Sequence, residues 1–97
     1  MNVAELQNII AKGESETVEF KTSFNKEVIE TLAAYANTKG GTVLVGVANN
    51  GDIIGITVNI ETIQNWLNEI KTKTEPTILP SIESLEIENN YDFIVDL

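Results

Sequence analysis

Glu14, Glu16 and Glu19 bunch just ahead of and inside the segment TVEFK. Clustered carboxylates supply the hard oxygen ligands with which Mg²⁺ or Mn²⁺ assists phosphodiester cleavage. In an acidic chain the same cluster also makes an ordinary solvated edge, and spacing alone does not choose between the two. A second group carries positive charge and hydrogen-bonding side chains: Lys21, Lys26 and Lys39, with Asn37, Thr38, Gly40 and Gly41. Brought to one place, these residues make a small patch for phosphate oxygens; kept apart, the lysines are solvated surface. All 6 cationic residues are lysine, so the paired hydrogen bonds with which arginine reads guanine are absent. Tyr35 and Trp66 offer stacking surfaces for bases, yet both fall at or near apolar helical stripes, where core packing is the better explanation.

Composition removes other chemistries. The chain has no cysteine and no histidine, which excludes disulfides, Cys/His zinc sites, thiol nucleophiles and His-based triads. Any metal would need carboxylates. Gly40-Gly41 follows a helix and precedes a strand, the reverse of the order that aims a helix amino end at phosphate, and there is no GxxxxGK[ST] pattern. The pair reads as a helix cap, and no cofactor is expected.

These residues must be positioned by a short series of elements. Asn2, with Glu5 three residues on, caps a first helix striped by Val3, Leu6, Ile9 and Ile10 and stopped by Gly13. Thr17 to Lys21 alternates as a strand, with Val18 and Phe20 on one face and Glu19 and Lys21 sharing the other. From Asn25 the period becomes helical, with Val28, Ile29, Leu32, Ala33 and Ala36 as the stripe, ending at Lys39-Gly40-Gly41. Thr42 to Ala48 reads as a central buried strand, and Asn50-Gly51 as a two-residue turn into a partner strand over Asp52 to Ile56. Asn59 caps a third helix with Ile60, Ile63, Leu67 and Ile70 on one face beside Trp66, and Pro76 ends it. Leu85 and Ile87, a turn at Asn89-Asn90, and the alternating run from Tyr91 predict a closing hairpin.

This order predicts an α+β two-layer domain, with helices packed on a mixed, mostly antiparallel sheet in which the VEFK strand pairs in parallel with a neighbour. At 97 residues and 42% apolar content, residues 1–97 form one domain, with Val18 to Ile56 as its central unit. Neither a signal peptide nor a stretch of membrane-spanning length is present, so a soluble cytoplasmic protein is expected. The net charge of -9 repels phosphate backbones at long range, so any nucleic-acid binding must come from a local patch. The sequence stops on an apolar phase at Leu97, from which a natural protein continuing into further domains is expected.

ESETVEFK, then YANTKGG, then TVLVGVANNGDIIGI, in that order, resemble the Schlafen AlbA-like domain, also described as a divergent AAA-4 or DNA-binding domain. Its pattern is approximately ES-x3-EFK, FANT-x-GG-x-hhhGV-xxxG-xhhG, where h is apolar. The match is close over Glu14 to Ile56 and loose elsewhere. The resemblance implies an α+β fold and nucleic-acid binding, to DNA rather than RNA, as the amino-terminal module of bacterial or archaeal transcriptional regulators, often followed by an ATPase-like region and a winged helix. No Walker motif supports the AAA label, so ATPase activity is not carried over. Some Schlafen relatives cleave RNA with two glutamates in an E-x4-E segment and an aspartate just after the GV of the central strand. Glu14 and Glu19 match the first two; the third place falls on Ala48 or Asn49, and Asp52 lies beyond the turn.

Three readings follow. The leading one is a non-enzymatic nucleic-acid-binding module with Lys21, Lys26 and the corner from Asn37 to Gly41 as its patch. The second is a metal-dependent endoribonuclease using Glu14 and Glu19. The third is a structural module that forms a homo-oligomer through a sheet edge or helix face.

Overall fold

The Asn2 side chain accepts the Glu5 N–H at 2.8 Å, and the Asn2 N–H donates to the Glu5 carboxylate at 3.2 Å. This reciprocal cap opens α1 (Val3–Lys12), and Gly13 at φ 79 closes it. In the computed structural model, which describes residues 1–97, there follow β1 (Val18–Lys21), α2 (Lys26–Ala36), β2 (Thr42–Val45), α3 (Thr62–Lys73), β3 (Ser81–Ile87) and β4 (Asn90–Asp96). The four strands form one sheet in the order β1-β2-β4-β3. β1 and β2 are parallel, joined by α2 as a parallel connection requires, and the other two pairings are antiparallel. The expected α+β fold, with a mixed and mostly antiparallel sheet and helices packed on it, is the one observed.

The main layer of helices lies on one face. Val28, Ile29, Leu32 and Tyr35 of α2 and Ile70 of α3 bury against Val43, Val45, Phe93 and Val95. Trp66 stacks on Phe24 at 4.7 Å and meets Phe93 edge-on, also at 4.7 Å, so its ring is a packing element of this face. On the opposite face, Leu6 of α1 covers Phe20, Leu44, Val47 and Ile94. The valine-rich run of β2 is thereby buried on both sides, the reason its sequence is nearly continuous in apolar character.

Four local expectations are corrected. β2 ends at Val45, where Gly46 turns to φ 102, and Asp52 to Ile56 returns through single bridges, Val47 with Ile53 and Ile56 with Tyr91, rather than as a strand. The turn between them is centred on Asn49 and Asn50, the Gly51 N–H donating to the Ala48 carbonyl at 2.9 Å with Gly51 following at φ 93, one position earlier than the expected Asn50-Gly51 pair. Both edges of β2 are already taken, by β1 and by β4, so the returning chain has no edge to pair along. The third helix starts at Thr62: Asn59 accepts from the Glu61 N–H and the Thr62 hydroxyl in a separate turn, leaving Ile60 98% exposed instead of on the core stripe. The closing turn sits at Glu88 and Asn89, whose φ values of 50 and 72 suit a two-residue hairpin, one position earlier than Asn89-Asn90. No helix is long and apolar enough to cross a membrane.

Candidate nucleic-acid interface

The carboxyl end of α2 is closed by its own backbone. The Thr38 and Gly40 N–H groups both donate to the Tyr35 carbonyl, at 3.0 and 3.1 Å, and Gly40 takes φ 92. A side chain at Gly40 would put its Cβ 2.2 Å from the Leu97 carbonyl oxygen, and one at Gly41 would meet the Tyr35 ring at 2.7 Å. The Gly41 N–H donates to the Leu97 carbonyl at 3.2 Å. The glycine pair therefore permits close approach of a strand end and an aromatic ring, and both of its N–H groups are occupied within the fold.

The polar residues beside it divide in the same way. The Asn37 amide donates to the Ala33 carbonyl at 3.3 Å, and the Thr38 hydroxyl to the Tyr35 carbonyl at 3.1 Å. Lys39 is exposed, makes no ion pair, and lines a cleft with Glu16, Thr17 and Thr38. Lys21 and Lys26 lie at the other end of α2. Lys21 pairs with Glu27 at 3.0 Å, while Lys26, the first residue of the helix, is exposed and unpaired. The eleven residues of α2 rise about 16 Å. The structure thus places Lys26, with Lys21 paired to Glu27 beside it in sequence, at the amino end of α2 and Asn37 to Gly41 at its carboxyl end, so the expected patch is divided by the helix length.

The acidic cluster has a structural task. β1 is an edge strand, and the Glu14 carboxylate accepts the N–H of Phe20 at 3.0 Å while the Ser15 N–H donates to the Val18 carbonyl at 2.9 Å. Two backbone groups that an incoming strand would use are thereby occupied. The Tyr35 hydroxyl is held above the usual phenol range, first by burial and then by the carboxylates of Glu19 and Glu14. Glu14 and Glu19 therefore share the neighbourhood of one phenol, yet no three acidic residues gather into a group able to hold a metal ion. Ala48 follows Val47, whose N–H bonds to the Lys21 carbonyl, and Asp52 is engaged by the Asn50 amide at 3.1 Å across its own turn. Neither position adds a third acid to the pair.

Asp92 escaped the sequence reading. It is 1% exposed, and neither carboxylate oxygen has a hydrogen-bond partner. Burial pushes its carboxyl up to about 6, and the nearby Gly55 N–H opposes that rise without outweighing it. That N–H makes its own hydrogen bond to the Gly46 carbonyl at 2.9 Å. Strand alternation assigns Asp92 to the phase of Ile94 and Asp96. The apolar Ile94 in that phase was the one signal that this side of β4 is covered.

No curated protein sequence matches the chain. Solved structures that resemble it include the DIP2311 protein of Corynebacterium diphtheriae, with TM-score 0.66 and 18% identity over 96% of this chain. Another is the N-terminal domain of a protein from Nitrosomonas europaea named as ATP-dependent DNA helicase RecG-related, with TM-score 0.69 and 16% identity over 98% of this chain. The chain spans 21% of the first of these and 71% of the second, and at such identities the likeness establishes the fold. The family model for Schlafen, AlbA_2 matches residues 14–97, from the first glutamate of the acidic cluster to the end of the sheet, and the chain belongs to that family.

Proposed function

We propose that this chain is a non-enzymatic nucleic-acid-binding module of a transcriptional regulator. Lys26 and Lys39 are its main phosphate contacts, supported by Lys21, Asn37 and Thr38, with Gly40 and Gly41 shaping the corner. The observation that carries this reading is that two exposed, unpaired lysines stand at opposite ends of α2 on an otherwise acidic chain. The helix rise of about 16 Å corresponds to roughly five steps of 3.4 Å along one strand of a duplex. Both cations can then meet one backbone, against the repulsion of exposed Glu27 and Glu30 on the same helix. The family resemblance supports the regulatory role, and a relative named for a DNA helicase supports DNA as the ligand.

Two or three phosphate contacts give a salt slope of about -2 to -3, so the Kd for labelled duplex DNA rises by roughly two to three orders of magnitude for a tenfold increase in salt. Fluorescence anisotropy on duplex DNA and single-stranded RNA at low and moderate salt measures it. Lys26→Glu combined with Lys39→Glu removes the binding. An absence of binding at low salt, or full binding by the double variant, rejects the proposal.

A second reading, a metal-dependent endoribonuclease, is favoured by one observation, the shared influence of Glu14 and Glu19 on the Tyr35 hydroxyl. Cleavage of structured RNA with Mn²⁺, lost in Glu19→Ala, would establish it. Equal cleavage by parent and variant would sink it.

A further inference from the structure

The segment after β2 forms an arm that turns back to bridge β4 and is fastened at three points: the Gly46 and Val47 N–H groups donate to the Lys21 carbonyl at 2.7 and 3.1 Å, and two further sites hold its returning half. The Gly46 carbonyl accepts the N–H groups of Ile54 and Gly55, at 2.8 and 2.9 Å, and Ile56 exchanges two backbone hydrogen bonds with Tyr91, at 2.8 and 3.0 Å. The residue after Tyr91 is Asp92, and its side chain lies where the arm closes. A Cβ on Gly46 would stand 2.2 Å from an Asp92 carboxyl oxygen and 3.3 Å from the Gly55 Cα. Across the ladder, β3 presents Leu85. An acid with two oxygens, both buried and both without a partner, is thus walled by glycine backbone and leucine.

We propose that Asp92 is the switching group of a proton-dependent latch: the returning half of the arm, Ile54 to Ile56, is closed over the neutral carboxyl and released when the carboxyl ionises. A buried carboxylate without a partner is among the costliest groups a fold can hold, whereas the neutral acid is tolerated and carries a donor of its own. Ionisation is relieved by admitting water, and the arm, held by backbone hydrogen bonds at a few points rather than by a ladder, is the element able to admit it.

The charged groups on this side of the sheet do not supply a counter-charge. Asp96, on the same face of β4, accepts the Thr42 hydroxyl at 2.5 Å. Glu83, on the same face of β3, is bonded to the amino terminus. The arm itself carries Asp52, held by Asn50, and α1, which covers this face, offers only exposed Glu5 and Lys12. Burial and the Gly55 N–H are the two influences on Asp92, and burial is the larger, which sets the switch at about 6.

The test follows the Asp92 carboxyl by carbon NMR and the exchange protection of the Ile54, Gly55 and Ile56 amides at pH 5 and pH 8. Asp92 should titrate near 6, and protection of the three amides, corrected for intrinsic exchange, should fall roughly tenfold to a hundredfold by pH 8. Leu44 and Ile94 should keep theirs, and Asp92→Asn should remove the dependence. An ordinary carboxylate titration, or protection unchanged while Asp92 ionises, overturns the proposal from the parent protein alone. A loss of protection that persists in Asp92→Asn overturns it as well.

Discussion

The Asn37 to Gly41 corner and the Gly46 to Ile56 arm stand at opposite ends of β2, and each depends on glycine at a close approach. In the corner, glycine makes room for a carbonyl and an aromatic ring, every glycine N–H is bonded, and the one charge, Lys39, remains in solvent. In the arm, glycine makes room for a carboxyl group, and the backbone is satisfied while the side chain beneath it is not. The corner leaves its charge in solvent, whereas the arm encloses a titratable acid. Glycine-rich sequence therefore marks where chains come close and is silent about what they come close to.

The largest expected effect breaks the arm. Gly46→Ala places a Cβ against the Asp92 carboxyl at a φ of 102, and should cost about 3 kcal/mol or more in denaturant unfolding. Adding Asp92→Ala should restore part of that loss, because the clash is removed and only the backbone strain stays.

The next effect sharpens the contrast by pH. With its pKa raised from 3.8 to about 6 in the fold, Asp92 holds its proton more tightly folded than unfolded. Its stabilising contribution is complete below pH 3.8 and is lost as pH rises through about 6, a difference of about 3 kcal/mol. Subtracting the unfolding profile of Asp92→Asn from that of the parent between pH 4 and pH 8 isolates this difference. No comparable pH dependence should attach to the corner.

Glu14→Ala frees the Phe20 N–H on the sheet edge and should destabilise by about 1 to 2 kcal/mol in thermal or denaturant unfolding. Concentration-dependent mass in sedimentation would also reveal whether the uncovered edge pairs with a second copy. Lys26→Glu with Lys39→Glu should have the smallest effect on the fold, within about 0.5 kcal/mol, while removing nucleic-acid binding. A variant that loses stability and binding together would show that the corner is not the independent surface described above.

Much of this architecture was legible from local pattern. The Asn2 and Asn25 caps, the α2 stripe and the buried valine strand obey periods and capping chemistry that act within a few residues, so the sequence reading placed them closely. The candidate patch was legible only in its members. Lys21 and Lys39 are neighbours in an argument from residue type, yet a parallel β1 and β2 joined by α2 put them at opposite ends of that helix. The partner strand over Asp52 to Ile56 failed for a similar reason, since pairing depends on which strand occupies the edge of β2, and that strand, β4, lies some forty residues further along the chain.

By itself, then, the sequence determined the fold class, the first two helices with their caps, a tight turn after the central strand and the absence of histidine and cysteine chemistry, because each depends on residue type or on contacts close in the chain. Only the tertiary structure decided that Glu14 guards a sheet edge, that Lys21 and Lys39 fall towards opposite ends of α2, and that Asp92 is buried without a partner. Burial and electrostatic neighbourhood are set by what packs from elsewhere, and the walls around Asp92 come from Gly46, Gly55 and Leu85, three segments that only the folded sheet brings to one point.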